Sequence, residues 1–249
     1  MAVKATIIMI LFAVTNAVPV RDIPEFLHIC RVNVPKYEAC VVDSIEFLKP
    51  YLKVGVPEYN IPSLEPLKLK KLTIALTNTL QIQLTDVLAN GASNFKVSNV
   101  KVAFKENVHV TVNVQLPNIQ VEGKYDIDGK ILLLPLRGSG PLHGNFSNCL
   151  GACKIVAERY IDENGVEKFR VKDFKLKITV GQGTVKLDNL FDGEQALGDI
   201  VNSTINNNFD LFMKELLPYV EKALSDAFAH ISTSIVAQFS AAQLFPGAY

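Results

Sequence analysis

The chain has 249 residues, 49% of them hydrophobic and 20% charged, with 25 basic side chains balanced by 25 acidic ones. A chain of this length can bury roughly 70–75% of its unfolded surface, so stability does not require a disulfide. Neutrality with scattered basic residues excludes an electrostatic grip on nucleic acid or on an anionic membrane.

Residues 1–17 read as an export signal: Lys4 supplies a basic start, "ATIIMILFAV" an apolar core, and Ala17 a small residue at a cleavage point. That core is shorter than the about 20 residues a bilayer span needs, and no later stretch is longer, so stable membrane insertion is not expected. The mature protein is expected to run from residue 18 to 249 as one domain, since no Pro-, Gly- and Ser-rich linker interrupts it. It is expected to be secreted, as a monomer.

Export makes disulfides permissible. Cys30 and Cys40 enclose nine residues that include Pro35. Closing so short a loop contributes about 3 kcal/mol or less, enough to staple a terminus rather than to hold a core. Cys149 and Cys153, in "NCLGAC", leave two readings open. On an extended strand their Cα atoms would lie about 13 Å apart, beyond bridging range, whereas a turn at Leu150-Gly151-Ala152 would bring them together. Asn145 in "NFS" and Asn202 in "NST" are candidate N-glycosylation sites of an exported chain.

After the first cysteine pair, Val41, Ile45 and Leu48 recur at helical spacing up to Pro50, where the helix is expected to stop. Pro57, Pro62 and Pro66 then mark extended, irregular chain. From about Leu67 the period becomes two. Val108, Val110, Val112, Val114 and Leu116 alternate with His109, Thr111, Asn113 and Gln115, the pattern of an antiparallel sheet with one dry face. Asp128-Gly129 and Asn164-Gly165 are placed for tight hairpin turns, with Asp126 and Asp128 serving as turn residues. Six to eight strands are expected.

The last fifth returns to helical spacing. Val201, Ile205, Phe209, Phe212, Leu216, Val220, Ala223, Ala227, Ile231 and Ile235 form one stripe, with Lys214, Glu221, Lys222 and Asp226 largely off it. The stripe stays in phase from Glu194 to Gln238, so a single helix of about 65 Å is expected, kinked at Pro218. The only cover for so much apolar surface is the dry face of the sheet. The fold class that follows is α+β, a long kinked C-terminal helix wrapped by a strongly curved antiparallel sheet.

Catalytic chemistry has no foothold. His28, His109, His143 and His230 sit in no catalytic or zinc-binding pattern, and "GSG" at Gly138–Gly140 is not a nucleophile elbow. No enzyme activity, metal or cofactor is expected.

The Cys30/Cys40 pair, "LKPYLKVGVPEYNIPSLEPLKL", "GASNFKV", "YDIDGKILLLPLRGSG" and the "NNFDLFMKELLPYVEKAL…AAQLFP" tail, in this order and spacing, resemble the insect takeout and juvenile-hormone-binding protein family. The resemblance covers nearly all of the mature chain. It implies a tubular fold whose sheet and helix enclose a tunnel for a hydrophobic ligand, and a Cys30–Cys40 disulfide near the tunnel mouth. It also implies a secreted carrier in haemolymph or another extracellular fluid, partnered by an elongated apolar small molecule: a terpenoid hormone, fatty acid, quinone or carotenoid. An alternative within the same family is a circadian- or feeding-regulated signalling protein that holds a lipid constitutively. The hormone-binding branch carries a second, long-range disulfide; here the remaining cysteines are four positions apart, which places the chain nearer the takeout branch.

Taken alone, Phe209, Phe212, Leu216, Val220, Phe228 and Ile231 of the helix and Val110, Val112 and Val114 of the strand read as core packing. The resemblance implies that some of them line the tunnel instead.

Overall fold

The computed structural model describes residues 20–77 and 80–248. The expected export signal, residues 1–17, lies outside the described residues. Seven antiparallel strands, two long C-terminal helices and one N-terminal helix make up an α+β fold.

The first helix, α1 (Tyr37–Val54), runs one turn past the expected stop at Pro50. Proline removes only its own amide from the helix, and the next turn still closes on Gly55, which adopts φ 80° and donates its N–H to Tyr51 O. The proline-rich segment beyond is irregular, as expected, with an isolated bridge between Val56 and Ile61.

The strands are β1 (Leu67–Thr77), β2 (Leu80–Asn90), β3 (Lys96–Phe104), β4 (Val108–Ile131), β5 (Leu134–Ile161), β6 (Glu167–Thr179) and β7 (Gln182–Leu187). Two of them do double duty. β4 pairs with β3 along its first half and with β2 along its second, while β5 pairs with β7 along its first half and with β6 along its second. The sheet is thus two overlapping half-sheets on a shared β4–β5 ribbon.

The pleat inverts where the halves meet. On β4 the inward residues are even-numbered up to Leu116, while from Ile119 the odd-numbered residues are the more buried. Opposite, Asn148 of β5 adopts φ 53°, and the buried parity changes there too. Because both strands invert together, the ladder keeps one register from Val108↔Ala157 to Ile131↔Leu134. Asp86, at φ 52°, does the same for β2, so Leu84 and Val87 both face the core.

Asn164-Gly165 forms the expected turn between β5 and β6. Asp128-Gly129 does not. β4 continues through it, and the β4–β5 hairpin turns at Leu132-Leu133, with Leu133 95% exposed. Burial of Ile127 and Ile131 on one face carries the strand past the turn signal, and Asp126 and Asp128 become exposed outer-face strand residues.

The long C-terminal helix is interrupted at Asn208, not at Pro218. α2 (Gln195–Asn207) and α3 (Phe209–Val236) meet where Asn208 leaves helical geometry (φ −122°, ψ 33°), and its side chain donates to Thr204 O. Pro218 lies within α3. A short α4 (Ala241–Leu244), started by a Ser240/Gln243 capping box, ends the fold.

The open sheet is sealed by these helices acting in place of an eighth strand. Along the free edge of β6, Ile178, Leu176 and Val171 donate their N–H groups to Glu221, Ser225 and Thr233 of α3. Along β7, Asn206 and Asn202 of α2 each accept from and donate to one backbone residue, Val185 and Leu187. The helix also reaches β1 on the far side, so sheet and helix together form a closed wall. Glu221 was expected on the wet face; it is instead 6% exposed, because an edge strand's amides need acceptors.

Candidate functional site

Three apolar clusters lie along the interior. At the end formed by α2 and the β4–β5 hairpin, Ile82, Tyr125, Ile127, Leu136, Leu190, Val201, Ile205 and Phe212 are tightly buried. In the middle, Leu67, Leu69, Leu72 and Val87 pack with Ala223, Leu224, Ala227 and Phe228 of α3. At the other end, Val108, Phe169 and Ala241 pack with Phe104, Val236 and Phe245.

Between the middle and this last cluster the inner wall can be read off the register. Cross-strand partners share a face, so one row is Val102–Val110–Ile155–Phe174 and the next is Val100–Val112–Cys153–Leu176. A third row runs Val114–Gly151–Ile178, where a Cβ on Gly151 would lie 3.0 Å from Val114 and 3.8 Å from Leu176. Every member of the first row is partly exposed, as are Val112, Val114 and Cys153, although helix α3 faces the row and the ring of Phe228 sits 6.0 Å from that of Phe174. The outer side of a single-layer sheet does not account for this exposure. Val108, one pleat along the same strand, is 0% exposed, and Leu136 in the packed end is 1% exposed. The row is therefore less densely covered than either end, although Val102 and Val110 also touch the end cluster.

The groups on the inner side of these rows are apolar or already satisfied. Ser225 Oγ accepts from Leu176 N and donates to Glu221 O, and Glu221 is further bound by Lys177. Among the described residues no buried side-chain nitrogen or oxygen lacks a partner.

The expected site residues therefore separate. Val112 and Val114 stand in the second and third rows, Phe228 packs in the middle cluster, Ile231 is partly exposed further along α3, and Val110 joins the first row while touching the end cluster. Phe212 is 4% exposed within the packed end, with Leu216 and Val220 against it. Phe209 packs on Phe146 (ring centroids 6.3 Å) and fills the space beside Gly183. Sequence reasoning missed Cys153, Ile155 and Phe174. Their strands were visible as alternation, but only the β4–β5–β6 register places them beside Val110 and Val112.

The cysteine alternatives resolve. Cys30 and Cys40 are bonded, while Cys149 and Cys153 are free thiols on one face of β5. The strand runs straight through "LGA", so no turn brings them together. Burial pushes both thiols above the usual cysteine range, which keeps them protonated and unreactive.

The disulfide lies at the β3 end of the tube. Ser44 of α1 donates to His28 O beside Cys30, and Tyr37 of α1 meets Phe104 edge-on. Residues 20–36 are also knitted to the C-terminal tail: Val32 N donates to Pro246 O, Asn33 to Gly247 O and Arg21 to Gln238. Phe26 stacks on Tyr51 and meets Tyr59, whose ring is parallel to that of buried Phe239. This end is a cover built from both termini.

The histidines do not converge. His28 stacks on Phe47, His109 and His230 are exposed, and His143 pairs with Asp188 at 3.5 Å on the outside. Among the described residues no group of His, Cys, Asp or Glu could hold a metal, and no helix is long and apolar enough to cross a membrane.

Comparison with known proteins returns one consistent group. The model of the haemolymph juvenile hormone binding protein family matches residues 8–246. The circadian clock-controlled protein daywake of Drosophila yakuba is 26% identical over 231 residues, covering 89% of this chain and 88% of that protein. A candidate beta-carotene-binding protein of Schistocerca gregaria is 24% identical over 214 residues, covering 86% and 85%. Takeout 1 of Epiphyas postvittana, a crystal structure, superposes with a TM-score of 0.71 at 23% identity over 84% of this chain and 95% of that one, a likeness of fold.

Proposed function

Because the chain belongs to the haemolymph juvenile hormone binding protein family, we propose that it is an exported carrier that takes an elongated, uncharged hydrophobic molecule into the middle of the tube. The observation that carries this reading is the partly exposed inner row Val102–Val110–Ile155–Phe174, lying inside a wall whose two ends are densely packed. The likeness to a candidate beta-carotene-binding protein supports the same class of guest.

The pocket of this reading is shorter than the tube. Phe212, Leu216 and Val220 belong to the packed end, which leaves for the guest the stretch of α3 from Ala223 to Ile235, about 18 Å at 1.5 Å per residue. An extended chain of some fifteen carbons fits that span. Its burial, at roughly 25 cal/mol per Å², supplies on the order of 10 kcal/mol before association costs are subtracted. Satisfied polar groups inside the wall reject a buried carboxylate, so a polar tip would stay at the disulfide end, beneath the cover of residues 20–36.

Cys153→Phe tests the reading. A phenyl group placed in unfilled space should change unfolding stability by less than about 1 kcal/mol, against about 1–3 for overpacking a filled core. It should also weaken binding of a fluorescent naphthylamine probe at least tenfold. Undiminished probe binding, or a variant that fails to fold because the space is already occupied by side chains, would overturn the pocket. The similarity to a clock-controlled relative supports a second reading, a signalling protein with a permanently held lipid. Native mass spectrometry separates the two: a carrier exchanges its guest for added fatty acid, and a protein holding a permanent lipid does not.

A further inference from the structure

The two glycosylation sequons are not equivalent in the fold. The side chain of Asn202 is fully committed: its Nδ2 donates to Leu187 O at 2.9 Å and its Oδ1 accepts from Leu187 N at 2.9 Å, so it forms one rung of the seal between α2 and β7. A sugar on that nitrogen would sit in the seam and force the helix off the strand. Asn145 presents the opposite case. It is on the outward face of β5, exposed, with no side-chain hydrogen bond, and paired through its backbone with Gln120 and Thr184.

Asn145 also opens onto a polar cleft of about 570 Å³. The outer face of β5 and β7 makes the floor with His143, Thr184 and Lys186, and α2 makes the wall with Asp199, Ser203 and Asn207; Asn202 borders the same cleft, but with both side-chain polar atoms held by Leu187. Donors and acceptors line a concave surface beside the one free sequon amide. This is the chemistry that receives a sugar's hydroxyl and acetamido groups, with the apolar surface beside Val185 for the faces of its rings.

We infer that Asn145, and not Asn202, is the N-glycosylated residue of this protein, and that the first sugars of its glycan lie in the cleft between β7 and α2. This rests on the reading of the chain as exported. In the transfer, the Asn145 amide nitrogen attacks the anomeric carbon of an oligosaccharide carried on a polyprenyl diphosphate. The carbon–nitrogen bond forms, the carbon–oxygen bond to phosphate breaks, the diphosphate leaves, and the amide loses one proton.

The test is expression of the full chain in insect cells, with glycan removal by peptide N-glycosidase in ¹⁸O-water before mass mapping of protein from the medium. Asn145 should be converted to ¹⁸O-labelled aspartate and Asn202 should stay asparagine. Asn145→Gln and Ser147→Ala should each abolish the glycan while secretion continues, and Thr204→Ala should leave it in place. Label at residue 202, or secreted protein with unmodified Asn145, overturns the assignment and leaves export intact. Protein that remains in the cytosol with residues 1–17 uncleaved overturns export as well, so the two failures are distinguishable. Protection of Lys186 from acylation in the glycosylated protein, lost in Asn145→Gln, would support the glycan's place in the cleft; equal labelling would refute that part.

Discussion

The two halves of the tube are built from the same kinds of residue and behave differently. At the α2 end, Ile82, Tyr125, Ile127, Leu136 and Phe212 converge from three strands and a helix, and each is at most 8% exposed. Between the middle cluster and the disulfide end, Val102, Val110, Ile155 and Phe174 face α3 and stay partly exposed. Ala223 and Ala227 of α3 pack against Leu67, Leu69, Leu72 and Val87 of β1 and β2, which leaves Phe228 as the helix side chain placed beside this row. How completely the facing walls interdigitate at a given level, not a different residue pattern, separates the two regions.

Substitutions can break this contrast. The largest effect is expected from Phe212→Ala, which should cost about 3–5 kcal/mol in chemical denaturation because it opens a cavity in a filled end. Phe174→Ala should cost no more than about 2 kcal/mol, since its ring is only partly buried. Equal costs would mean that the middle is packed as tightly as the end.

The next effect sharpens the picture of the seam. With little apolar packing on the hollow side, the edge of β6 relies on its side-chain acceptors. Glu221→Ala leaves the Ile178 amide without a partner and should cost about 1–3 kcal/mol. Amide exchange at Ile178 should accelerate, while exchange at Ile127, in the packed end, should not change.

The smallest effect is a pH dependence at the start of β1. Burial alone would raise the Glu65 carboxyl, but hydrogen bonds from Gly91 N, Ser93 N and Ser93 Oγ outweigh it and hold the group below its ordinary value. With the folded value depressed, its stabilising contribution is fully present above the unfolded value and is lost as pH falls through the folded one. Glu65→Gln should therefore flatten the loss of thermal stability on acidification below about pH 4.5. An unchanged slope would remove this anchor from the account.

Much of the fold was legible because periodicity depends only on neighbours along the chain. The alternation from Val108 to Leu116 marked a one-sided strand, and the stripe from Val201 to Ile235 marked the C-terminal helix with its dry side correct. Turn chemistry was legible only where nothing opposed it. Asn164-Gly165 turns, whereas Asp128-Gly129 is overridden by buried Ile127 and Ile131 on either side. The charge of Glu221 suggested water, because an unpaired strand edge that needs acceptors exists only after the sheet has assembled.

By itself the sequence determined the element types, the stripe of the long helix and the family of the fold, all consequences of local spacing and of motifs in a fixed order. Tertiary structure alone decided that the pleat inverts at Asn148, that Cys153, Ile155 and Phe174 stand in line with Val110 and Val112, and that Asn202 is consumed by the seam while Asn145 stays free. These depend on cross-strand register and on which edges remain unpaired. Both arise from contacts between residues tens to hundreds of positions apart, which no local pattern encodes.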